Sequence, residues 1–157
     1  MNLACNTERG RIWIGSQHDT VARFAEALKL RAIETKDDDA AAIDALFFDG
    51  TSLLRAVAEV KRRDMTLEKL RRFGSYLITA EKLEKGAWLA EELRVPLVLI
   101  VRLKDAIAWW KITDRAGTYV TKFDIRETLT QQTCNGGEIN RINAYVHLDT
   151  MQMIPIK

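Results

Sequence analysis

The segment Ile43–Lys61, IDALFFDGTSLLRAVAEVK, decides the fold. Ile43-Asp44-Ala45-Leu46-Phe47-Phe48 is a short apolar run with one embedded acid, Asp49-Gly50-Thr51-Ser52 is a strong turn signal, and Leu53 to Lys61 resumes as a strand. The segment reads as a hairpin of two antiparallel strands. On its second strand Glu59 and Lys61 lie two residues apart and project from one face. If the turn pairs Phe48 with Leu53, Asp44 stands opposite Val57 and shares the face of Val57, Glu59 and Lys61. Asp44 and Glu59 are then diagonal neighbours. A slip of one residue would turn Asp44 to the other face.

Two carboxylates converging at a sheet end form a hard-oxygen site of the kind Mg²⁺ occupies with few protein ligands and several waters. A lysine beside them can position or deprotonate a metal-bound water, or neutralise charge on a phosphate under attack. The plain alternative is a solvated cross-strand ion pair between Glu59 and Lys61. A second Glu-x-Lys, Glu34-Thr35-Lys36, has no upstream Asp on a neighbouring strand and is read as a decoy.

Outward from the hairpin, Val21, Phe24, Ala25 and Leu28 recur at helical spacing, which predicts a helix from Ser16 or Asp19 to Lys29. Leu30 to Thr35 alternates as a half-buried strand and runs into the acidic loop Asp37-Asp38-Asp39. After the hairpin, Thr66 to Leu93 shows helical spacing, with a possible break at Gly74 and extended chain at Tyr76–Thr79. Pro96 stops that helix, and Leu97–Val101 suits a strand buried on both faces and reached by a crossover. Ile107–Ile112 and Thr118–Val120 read as a second hairpin about Asp114–Gly117, and Asn143–Leu148 as a late strand. Thr121–Asn140 is not readable by pattern. With no linker or repeat, residues 1–157 are expected to form a single domain.

Charge is unevenly placed. Arg55, Lys61, Arg62, Arg63, Lys69, Arg71 and Arg72 face only Glu59, Asp64 and Glu68 in one window, whereas Asp37 to Asp49 has no base. Arg62, Arg63, Lys69, Arg71 and Arg72 directly follow the acid-bearing strand and could hold DNA phosphates, with Lys82 and Lys85 extending the track. The alternative is a helix face lined with solvating charge.

The order helix, strand, Asp-bearing strand, turn, Glu-x-Lys strand, helix, strand, with Ile43-Asp44 and Glu59-Val60-Lys61 in place, resembles the PD-(D/E)XK nuclease superfamily. The resemblance covers somewhat over half the chain, roughly Asp19 to Leu103. It implies an α/β, restriction endonuclease-like αβββαβ core with a central mixed sheet flanked by helices, here followed by a C-terminal β-hairpin region. It further implies that Asp44, Glu59 and the Val60 carbonyl bind Mg²⁺ or Mn²⁺ and that Lys61 lies near the attacking water. Ile43 replaces the motif's Pro. Many members carry a first-helix Glu. Glu26 lies on the wrong face for that role, which leaves Gln17, His18 or Asp19 as residues that could approach the site.

Other features exclude functions. A charged fraction of 29% and an uncharged apolar run no longer than Val95–Val101 offer no transmembrane helix. Met1-Asn2-Leu3-Ala4-Cys5 has no leader before its Cys and reads as a cytoplasmic start. Cys5 and Cys134 form neither a zinc site nor a disulfide framework, and His18 and His147 lack triad partners. Cys134-Asn135-Gly136-Gly137 reads as a loop turn. Trp109-Trp110 could stack on bases, although strand aromatics generally pack into cores.

The expectation is a metal-dependent DNA endonuclease selective for a DNA shape such as a junction, flap or end, with a homodimer suited to a symmetric junction. Two alternatives are a catalytically silent nucleic-acid-binding scaffold and an assembly factor that binds a protein partner.

Overall fold

A computed structural model describes residues 8–36, 41–131 and 137–156. Cys5 and the N-terminal segment, the acidic loop Asp37–Asp39, and Cys134-Asn135-Gly136 lie outside the described residues.

The first helix, α1 (Glu8–Ala27), buries Thr20, Val21, Phe24 and Ala25 on one face. It begins earlier than the apolar spacing suggests, because the turns before Thr20 bury no residue and so carry no core stripe. It ends two residues early, where Lys29 takes φ 55° and the Leu30 N–H closes onto the Ala25 carbonyl at 2.8 Å. Three antiparallel strands follow: β1 (Arg31–Glu34), β2 (Ala45–Phe48) and β3 (Leu54–Arg62).

The hairpin register differs from the sequence reading. Phe48 pairs with Leu54, not Leu53, and an irregularity between Phe47 and Phe48 then sets Phe47 opposite Ala56 and Ala45 opposite Ala58. This places Asp44 across from Glu59 rather than Val57. The total shift is two residues, so the face is unchanged.

The stretch Thr66–Leu93 is not one helix. Thr66 caps α2 (Leu67–Phe73) by accepting the Lys69 N–H, and Gly74 ends it at φ 74°, a conformation that favours glycine. Ser75–Thr79 is strand β4, followed by α3 (Ala80–Glu92). A Cβ at Gly86 would lie 3.1 Å from Leu97 Cδ1, so the glycine lets α3 sit close on the next strand, β5 (Leu97–Arg102). That strand runs parallel to β3. Its Leu97, Leu99 and Val101 enter one core cluster with Val57, Leu83 and Trp110, and its Val98 and Ile100 enter the other with Phe24 and Phe47. The continuous apolar run is thus a central strand covered on both faces.

β6 (Ala106–Lys111), β7 (Phe123–Gln131), β8 (Glu138–His147) and β9 (Gln152–Pro155) complete the chain. The sheets run β1-β2-β3-β5-β6-β9 and β4-β8-β7, a mixed sheet flanked by helices with a β-hairpin arm after the core. The expected pairing of Ile107–Ile112 with Thr118–Val120 forms only next to the turn, where the Val120 N–H donates to the Ile112 carbonyl at 2.9 Å. β6 pairs with β5 and β9 instead, and a lone bridge, Thr113 to Tyr119, spans the turn. There Asp114 Oδ1 accepts the Ala116 and Thr118 N–H groups. Trp109-Trp110 follow the core reading rather than base stacking. Trp110 is 0% exposed and donates its indole N–H to the His147 carbonyl at 2.9 Å, while Trp109 packs edge-on against Phe24. The unreadable stretch is the long β7–β8 hairpin, whose apolar face continues past the core as exposed Ile125, Leu129 and Ile142.

Candidate active site

Neighbouring strands fix the backbone around Asp44. Its N–H donates to the Ala58 carbonyl at 2.8 Å, and its carbonyl accepts the Thr35 N–H at 2.9 Å. Strand alternation turns its side chain away from the face of Ala45, and Oδ2 accepts the Val60 N–H at 2.7 Å. A charge-assisted bond of this kind ties the carboxylate to the strand that bears Glu59.

The Glu59 side chain is 1% exposed, and Lys61 Nζ lies 2.5 Å from its Oε1. Lys82 Nζ, from the first turn of α3, stands 4.0 Å from the same oxygen. This is not the solvated surface ion pair of the plain alternative, since Glu59 lies beneath β4 and α3. Burial pushes the Glu59 carboxyl above the ordinary range; Lys61 pulls it back, Asp44 adds to the rise by like charge, and Lys82 opposes it. Taking a carboxylate from water costs several kcal/mol unless its charge and lone pairs are met. Oε2 has no hydrogen-bond partner among the described residues, so the site retains an unmet demand for positive charge.

That orphaned oxygen beside the Asp44 carboxylate is the test of fit for a divalent cation. Two hard oxygen donors match Mg²⁺ or Mn²⁺, which keep several waters. Among the described residues no cluster of three or more His, Cys, Asp or Glu could hold a metal, so a third acid does not join them. Glu26 is exposed, and α1 carries a second Glu, Glu8, at its start. His18 Nδ1 lies 2.7 Å from Glu34 Oε2, and Asp19 pairs with Arg23 and Arg102. Of the α1 residues considered, Gln17 reaches the hollow beside Val60, Lys61 and Arg62. The decoy Glu34 projects with Ala45, its register partner, to the face opposite Asp44.

The predicted cations separate. Lys82 belongs to the acid site itself. Arg62 lies at the carboxyl end of β3 and lines two hollows there, each of which also includes Ser16 of α1. The Arg63 guanidinium sits 5.3 Å over the Tyr76 ring and donates to the Arg62 carbonyl at 3.1 Å. On α2, Lys69 lies over Phe73 and Arg72 pairs with Glu68; these contacts hold both on their own helix. Lys85 pairs with Glu81.

Sequence reasoning missed Arg102, Lys104 and Tyr76. Arg102 is the register partner of Arg62, a proximity that only the parallel pairing reveals. Tyr76 is buried and its hydroxyl has no partner among the described residues. Burial raises its ionisation range, with Arg63 lowering it and Glu59 raising it.

Over residues 16–156 the sequence matches the family described as phage putative PDDEXK endonuclease. The structure is similar to that of Hjc, a Holliday junction resolvase from the archaeal hyperthermophile Archaeoglobus fulgidus, with a TM-score of 0.49 and 12% identity over 83% of this chain and 86% of that chain. No curated protein matches the sequence.

Proposed function

The chain belongs to the family of phage PDDEXK endonucleases, and from that premise we propose that it is a metal-dependent DNA endonuclease acting in the cytoplasm on a DNA shape. The observation that carries the reading is the buried Glu59, with Oε2 unpartnered among the described residues, Asp44 alongside and Lys61 on Oε1. Asp44, Glu59 and the Val60 carbonyl would hold Mg²⁺ or Mn²⁺. Such an ion, when bound, lowers the pKa of its water and neutralises phosphate charge.

The chain's own groups supply the rest. The Val60 N–H fixes the Asp44 carboxylate, so its orientation is set before any ligand arrives. Lys61 Nζ, on the exposed side of Glu59, donates to a phosphate oxygen and offsets the charge developing there. Lys82 supplies a second positive charge on the same carboxylate. Arg62, Arg63, Lys69 and Arg72 hold backbone phosphates on either side. Shape selectivity is favoured because the described elements beyond the αβββαβ core amount to the short α2, β4, β6, β9 and the hairpin arm.

A homodimer is supported by the outer edge of β7, which pairs with no further strand among the described residues. Paired antiparallel with its own copy about Ile125, Asp124 of each strand stands opposite Arg126 of the other, with the apolar faces continuous.

The deciding experiment incubates wild type and Asp44→Asn with labelled linear, single-stranded, flapped and four-way-junction DNA in Mg²⁺, Mn²⁺ or EDTA. Metal-dependent cutting that disappears in Asp44→Asn is expected. Binding without cutting under every condition would replace the enzyme with a silent scaffold.

A further inference from the structure

The carboxyl ends of β3 and β5 open into a cleft of about 460 Å³, lined by Ser16, Arg62, Arg63, Asp64, Arg102 and Lys104 among others. Parallel strands place ligands at this end of a sheet as a rule. Here the two strand ends are clamped: the Arg63 N–H donates to the Arg102 carbonyl and the Lys104 N–H to the Met65 carbonyl, both at 2.9 Å. The cations therefore stand on a fixed platform.

Charge within the cleft is unbalanced. Lys104 pairs with Asp64 at 3.2 Å, and Arg102 reaches Asp19 through one nitrogen at 2.9 Å. No carboxylate among the described residues pairs with Arg62 or Arg63. Two acids thus oppose four cations, and an anion is the complementary ligand.

The cleft shares a wall with the hollow beside the end of the acid-bearing strand. Ser16 and Arg62 also line the hollow that contains Lys61. Lys61 and Arg62 are consecutive and point to opposite faces of β3. A chain lying on Lys61 therefore crosses the end of the sheet at Arg62 and enters the cleft beside α1. A polyanion with evenly spaced charges fits this path; a single small anion has no use for its length.

We propose that this cleft is a second phosphate-binding site, which holds a backbone phosphate of the DNA strand next to the bond acted on at Glu59 and Lys61. Arg62 and Arg102 are the ligands and Lys104 is the cationic rim. The inference rests on the nuclease reading and adds the direction in which the strand leaves the site.

The test measures duplex binding by the full chain in EDTA, from 50 to 200 mM salt, for wild type, Arg62→Gln, Lys104→Gln and a control, Lys111→Gln. Lys111 pairs with Val98 at the opposite end of β5. Removing one cation that neutralises a phosphate lowers the slope of log K against log salt by about 0.9. That change is expected for Arg62→Gln and Lys104→Gln and not for Lys111→Gln. A neutral methylphosphonate walked along the strand should weaken wild type at one linkage beside the cut and leave Arg62→Gln unaffected there. Unchanged slopes in a protein that still cuts DNA would overturn the subsite and spare the nuclease. A protein that neither binds nor cuts would overturn both. Inorganic phosphate titrated alone separates the sources. Tight phosphate binding that Arg62→Gln abolishes, without a change in DNA slope, would assign the cleft to a free anion and overturn the strand assignment.

Discussion

Replacing Lys61 with Met removes an ammonium while keeping most of its stem, and so isolates the charge that Glu59 sees. Breaking a buried ion pair by deleting one partner costs about 3–5 kcal/mol. Lys61 is 23% exposed and Lys82 remains 4.0 Å away, so the low end, about 3 kcal/mol, applies. For a chain of this size that corresponds to a fall in Tm of roughly 6–12 °C. The pH dependence distinguishes charge from packing. In the folded state burial holds the Glu59 carboxyl above its ordinary value of 4.5. Between those two values the folded protein binds more protons than the unfolded chain, so stability falls as pH rises and levels off above the folded pKa. Lys61 works against this rise, and its removal lifts the folded pKa further and widens the window. The gap between wild type and Lys61→Met should therefore be small near pH 4.5 and largest at neutral pH, in thermal melts with EDTA. Adding Glu59→Gln to Lys61→Met should close most of the gap. A gap that is the same at every pH, or absent, would refute the claim that Lys61 stabilises a buried carboxylate.

Asp44→Asn should reduce cleavage by at least a hundredfold while leaving DNA affinity in EDTA within about threefold, measured by gel assay and fluorescence anisotropy. Trp110→Ala removes a fully buried ring and its bond to His147, and should cost about 3–5 kcal/mol in urea denaturation; a smaller loss would mean that the ring is not in the core. Ile125→Arg puts like charges at the centre of the proposed β7 pairing and should convert a dimer to a monomer by light scattering, with stability nearly unchanged because Ile125 is 52% exposed.

What the sequence makes legible follows from which errors a pattern tolerates. Pairing Phe48 with Leu53 across the turn would set Asp44 opposite Val57, and the structure sets it across from Glu59. Because side chains alternate with period two, that two-residue displacement still leaves Asp44, Glu59 and Lys61 on one face. β5 is legible because burial on both faces leaves an unbroken apolar run. The split of Thr66–Leu93 is only half visible. Leu70, Leu77 and Leu83 satisfy helical spacing, yet β4 is a strand because its edge pairs with β8, far along the chain. Arg102 escapes a local reading for the same reason: its partnership with Arg62 is created by a parallel crossover, and no local window contains both.

The burial of Glu59 is the least legible feature and the most consequential. A sequence displays an acid beside a lysine identically whether the pair is wet or dry. Dryness here is tertiary: β4 and α3 cover the face of β3 with Tyr76, Ile78, Leu83 and Ala87. The same covering leaves Oε2 without a partner among the described residues and raises the free energy of the metal-free protein. Even with Lys61 and Lys82 beside it, a buried carboxylate adds little to stability, since well-packed apolar residues serve a core at least as well. On the proposed reading a bound cation would meet the demand, so that stability forgone by the free protein would reappear as affinity for the ligand. Glu59→Gln should accordingly gain stability without metal and lose the stabilisation that added Mg²⁺ or Mn²⁺ gives wild type. A wild type whose Tm does not move with either ion would break that link.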